Sequence, residues 1–157
     1  MRTRVVGLAA LAAVALAAGC GGGGDGGGGG ERLTAEEFVQ QADAICEDTN
    51  QQLDELNEPE NVDDLAALAA EAVSINEQSV DALRELNPPE ELQGQFDRAL
   101  ELLDQQNALG RELVTAAEDG DQAKIQEIVA QGEPLQTEAR GIAGELGLTK
   151  CGAEDAG

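Results

Sequence analysis

Apolar residues recur along this chain at intervals of three and four or their multiples, the spacing that gathers side chains on one face of an α-helix. Phe38, Ala42, Ile45, Leu53 and Leu56 make a first stripe, and Leu65, Leu68, Ala72, Ile75, Leu83 and Leu86 a second. Leu92, Phe96, Ala99, Leu103, Gly110 and Leu113 make a third. Ile125, Ile128, Val129, Leu135, Ala139, Ile142 and Leu146 make a fourth. The β-branched alternation of a half-buried strand is lacking. The residues between stripes punctuate helices. Thr34-Ala35-Glu36-Glu37 is a capping box, in which Thr34 accepts from an early amide and Glu37 reaches back. Asn57-Glu58-Pro59 stops that helix, and Asn61 caps the next with Asp64 near its positive end. Asn87-Pro88-Pro89 is the following stop, and Pro89 suits a first helical turn. At Glu118-Asp119-Gly120-Asp121 the glycine can close one helix in the left-handed conformation while Asp121 caps the next, which Gly147 ends.

Short connections make successive helices antiparallel neighbours, so the pattern predicts an all-α, up-down-up-down four-helix bundle over residues 34–151. Pro134 lacks an amide donor and predicts a kinked fourth helix, bent or broken just after Gly132. Gly110, Gly132, Gly141 and Gly144 would let helices approach closely and leave little room for a large pocket.

Composition narrows the chemistry. Nine Lys and Arg against 32 Asp and Glu in 157 residues give a net charge of −23, with no His, Trp or Tyr. Phosphate recognition needs a basic face, so nucleic acid is excluded as a partner. Anionic headgroups would repel this surface, and residence at a membrane therefore demands a covalent anchor. Without histidine there is no nucleophilic triad base and no Glu-x-x-His di-iron pair, and the Cys/His clusters that zinc favours are missing. Haem would have only the few cysteines left as axial ligands. Carboxylates alone could serve a hydrolase or a divalent-cation-dependent enzyme, which stays as the alternative to a non-enzymatic module. No segment has calcium-loop spacing, and Glu118-Asp119-Gly120-Asp121 reads more simply as a helix stop and cap. No catalytic, cofactor-binding or metal-ligating residue is assigned.

The first thirty residues say where the chain goes. Arg2 and Arg4 precede an uncharged apolar run over residues 5–18, too short to span a bilayer comfortably but long enough for a signal-peptide core. It ends in Leu16-Ala17-Ala18-Gly19-Cys20, which resembles the lipobox of bacterial lipoproteins. Leucine stands four places before the cysteine instead of the commoner three, a variant that family tolerates. The resemblance implies a signal peptide over residues 1–19, cleavage before Cys20, and acylation of that cysteine by a diacylglyceryl group. It also implies residence on the extracytoplasmic face of the cell membrane. The competing reading is a secreted chain cut near the alanines with Cys20 a free thiol. Glycines from 21 to 30, broken by Asp25, make residues 20–33 a flexible tether with an average reach of about 20 Å. No strand precedes this tract and no lysine follows it, so it is not a phosphate-binding loop.

With Cys20 set aside, Cys46 and Cys151 are an even pair in an exported chain and are expected to form a disulfide. In an up-down bundle the first and fourth helices adjoin, and the tail can fold back along the first. A redox switch is the alternative, but neither CxxC spacing nor a basic neighbourhood is present to depress a thiol pKa. The elements "ADAIC", "LNPPEEL" and "GELGLTKC" look like those of small helical lipoproteins from high-GC Gram-positive bacteria. That resemblance implies the same fold and address and no activity. Residues 152–157 are expected to be a flexible tail.

Two features bear on partners. No Lys or Arg falls between Leu33 and Leu83, while acids recur, including Asp43 and Glu47 one turn apart. Such a surface either keeps the protein soluble or meets a basic envelope protein or weakly held divalent cations. Thr49, Asn76, Ser79 and Asn107 fall at similar heights beside the stripes, where they either fix helix register or line a small polar site.

Overall fold

Local signals act where the sequence places them. In the computed structural model, which describes residues 31–57, 59 and 61–152, four helices follow in order: α1 (Ala35–Asp54), α2 (Val62–Arg84), α3 (Glu90–Glu118) and α4 (Gln122–Glu145). The fold is all-α, without a strand among the described residues. Thr34 and Glu37 form the complete capping box, and the Thr34 amide and hydroxyl together hold the Glu37 carboxyl below its ordinary pKa. Asn61 accepts from the Asp64 amide at 3.0 Å, and Asp121 accepts from that of Lys124 at 3.0 Å. Gly120 takes φ 65°, which lets the Asp121 amide reach back to the Ala116 carbonyl and close α3. At the start of α3, Pro89 is the cap itself, not part of the first turn, and it offers no side-chain bond.

Each helix packs on the next: α1 on α2, α2 on α3, and α3 on α4. Phe38 meets Phe96 edge to face, with ring centroids 5.1 Å apart. Around the two rings gather Ala42, Leu83 and Leu146, all buried. This core lies where the start of α1, the end of α2, the start of α3 and the end of α4 converge. Arg32 and Leu33, assigned by sequence to the tether, are fixed there as well. Arg32 donates to the Pro88 carbonyl at 2.8 Å, and the Leu33 amide donates to that of Asn87 at 2.8 Å.

Several expectations need correction. Among the described residues the backbones of α1 and α4 do not come together; side chains and the segment after α4 span the gap. At one end of that gap Phe38 and Leu146 are buried in the same core cluster. Among Gly110, Gly132, Gly141 and Gly144, only Gly110 sits at a close approach, since a methyl there would lie 2.5 Å from Val73 Cγ2. Gly132, Gly141 and Gly144 face open space. α4 runs unbroken through Pro134. Val129 stays 55% exposed, because its neighbour Ile128 takes the buried position. In α2, which has neighbours on two sides, Ala66 and Ala69 are buried while Leu65 and Leu68 are only half-buried.

Candidate functional site

Cys46 and Cys151 meet. Their Cα atoms lie 5.1 Å apart across a sequence separation of 105, with the sulfurs at disulfide distance. The chain is steered to this meeting. Gly147, at φ 79°, ends α4 and lets the Leu148 amide bond the Ala143 carbonyl at 2.9 Å, turning the strand of residues that follows back onto α1. Asp43 then captures it: the carboxylate accepts from the Thr149 amide at 2.9 Å, the Thr149 hydroxyl at 2.8 Å and the Lys150 amide at 2.8 Å. Asn50 adds a bond to the Lys150 carbonyl at 3.1 Å. Partial burial pushes the Asp43 carboxyl up, but the bonds from Lys150 and Thr149 outweigh it and hold the pKa below its ordinary value. Glu47, the other member of the like-charge pair, faces the Lys150 ammonium at 3.9 Å. The C-terminal segment thus answers both acids. Sequence reading assigned Asp43 to a general acidic surface; its place one turn before Cys46 was the available clue to a docking role.

The four mid-helix polar residues are not one site. Thr49, 8% exposed, satisfies its hydroxyl on the Ile45 carbonyl at 2.8 Å. With Ser79 it lines a shallow groove of about 330 Å³ between α1 and α2. Asn107, 7% exposed, instead lies at the base of a groove of about 300 Å³ between α2 and α3. Charges close over that second groove. Arg84 bonds Asp104 at 2.6 Å and Asp81 at 3.0 Å, and Arg111 pairs with Glu77. Asn76 is half-buried and lines neither groove.

Among the described residues no three acidic or cysteine side chains converge as a metal-binding set, and no helix is long and apolar enough to cross a membrane. The acidic turn at Glu118 to Asp121 acts through its backbone and its cap. Cys20, the signal peptide over 1–19 and the glycine tract lie outside the described residues, as do residues 153–157 of the tail. No protein-family description, curated protein or solved structure matches the chain.

Proposed function

We propose that this chain is a lipid-anchored, non-enzymatic binding module on the extracytoplasmic face of the cell membrane. The observation that carries the reading is the pairing of Cys46 with Cys151. A disulfide suits an oxidising compartment outside the cytoplasm. It also leaves Cys20 as the odd thiol, at the seam between an apolar leader and a glycine tract. Acyl chains at that position, at about 0.8 kcal/mol per buried methylene, would hold a protein of this charge at a surface it otherwise has no reason to visit.

The helices in this reading run up, down, up and down. Interhelical pairs favour that order: Arg84 meets Asp104 and Glu77 meets Arg111, so numbers falling along α2 rise along α3. Gln95 with Glu145, Arg98 with Glu138 and Glu112 with Lys124 run the same way between α3 and α4. Pro134 removes one amide from the α4 ladder and is read as a mild bend in a continuous helix. Because Arg32 is tied to the turn between α2 and α3, a tether from Cys20 keeps that end at an average of about 20 Å from its anchor. Cys20→Ala is expected to move the protein from the membrane to the soluble fraction of producing cells. A variant that still pellets with membranes would contradict the anchor.

A further inference from the structure

Cations are spread unevenly over this fold. Arg84 and Arg111 pair with carboxylates across the seam between α2 and α3, and Arg98 and Lys124 do so between α3 and α4. The seam between α1 and α2 has no such device, since no Lys or Arg falls between Leu33 and Leu83. It carries instead the groove of about 330 Å³, in which half-buried Ile45, Ile75 and Ala82 supply apolar surface while Asp48, Gln52 and Gln78 form a polar rim. Helical spacing extends both walls. Positions 37, 41, 44, 48, 52 and 55 share a face of α1 and its caps, and 71, 75, 78, 82 and 85 share a face of α2. In the antiparallel order inferred above, Glu37 and Glu85 flank one mouth of the groove and Glu55 and Glu71 the other, with Asp48 between. Asp48, Glu55, Glu71 and Glu85 are exposed, and none is in an ion pair among the described residues.

An apolar trough framed by unneutralised carboxylates has a definite complement. We propose that the α1–α2 groove docks a basic amphipathic helix of another protein, with its apolar stripe over Ile45 and Ile75 and its Lys or Arg residues against the corner carboxylates. The walls are helices whose backbone groups are bonded internally, so an extended peptide would find no ladder to join. A helix needs only anchors spaced three and four residues apart, and the lining from Ala44 to Gln52 extends about 12 Å, roughly two turns. A second copy of this chain would bring the same acidic face and be repelled. The inference rests on the binding-module reading and gives it a partner class.

The test is fluorescence anisotropy at about 0.15 M salt. A labelled peptide with Leu at helical spacing and Lys elsewhere is titrated with the full mature chain in a zwitterionic detergent. A scrambled peptide of identical composition is the control. The amphipathic peptide should saturate and bind about tenfold tighter or more than its scramble. Joint Asp48→Lys and Glu71→Lys substitution should weaken it about tenfold or more, whereas Glu118→Lys with Asp119→Lys, an equal change of charge at the distal turn, should cost less than about twofold. All four positions are exposed, and circular dichroism checks that both variants keep their helices. Equal loss in the two variants, equal binding of the scramble, or no saturable binding would each overturn the proposal. The comparison of peptides needs no variant. Intact mass of the same sample reads the anchor separately: a missing lipid with groove binding retained would defeat the membrane reading and leave the docking site standing.

Discussion

Three donors from the C-terminal segment, the Thr149 amide and hydroxyl and the Lys150 amide, converge on the Asp43 carboxylate. Charge-assisted bonds of this kind need an ionised acceptor. Because the folded state lowers the Asp43 pKa below 3.8, its contribution is complete above that value and is lost as pH falls through the lowered one. Asp43→Asn should therefore melt several degrees below the parent at about pH 6, a loss of about 1–2 kcal/mol at this part-exposed site. The gap should narrow as the pH is taken to about 2. Melting curves collected across that range check the sign; a gap that widens in acid would show that the carboxylate is not a docking acceptor. Beyond its place one turn before Cys46, no sequence pattern pointed to this role, because Asp43 and Thr149 stand 106 residues apart and only the fold brings them together.

At the scale of the element, what is local was readable. Thr34, Asn61, Asp121, Gly120 and Gly147 act as caps and stops through neighbours within a turn, so their residue types sufficed to place the helices. Which glycine lies at a close approach depends on the partner helix, and there the chain gave no signal. A methyl at Gly110 would press on the stiff, β-branched Val73, whereas one at Gly141 meets nothing. Gly141→Ala should gain about 1 kcal/mol from helix propensity and raise the melting temperature by roughly 3–5 °C. Gly110→Ala should lose about 1 kcal/mol net, as overpacking exceeds the same propensity gain. Thermal melts of the two variants side by side decide it, and a Gly110→Ala protein as stable as Gly141→Ala would refute the tight α2–α3 contact. The stripes were legible for the same limited reason: they name helical faces, but not which of two flanking residues a neighbour covers, as Ile128 and Val129 illustrate.

For the whole molecule, the Cys46–Cys151 pair closes a loop spanning most of the folded chain. By chain entropy a loop near 100 residues is worth about 4.7 kcal/mol, with Asp43 holding the ends in register. Reduction, or Cys46→Ser, is expected to lower the stability by about 3–5 kcal/mol, measured by urea unfolding with and without reductant. Coincident unfolding curves would show that the closure contributes nothing. Evenness of the two remaining thiols was enough to foresee the pair, whereas the grooves between helices could not be read from periodicity, since they form where side chains fail to meet.

Under the proposal, this acidic helical module, closed by the Cys46–Cys151 pair, is held near a membrane through Cys20. The most direct measurement is the intact mass of the mature protein extracted from cell membranes, with fragmentation of its N-terminus. The account predicts a chain that begins at Cys20 and carries a diacylglyceryl group on that sulfur. A mature chain with an unmodified Cys20, or one whose N-terminus lies elsewhere, would contradict it.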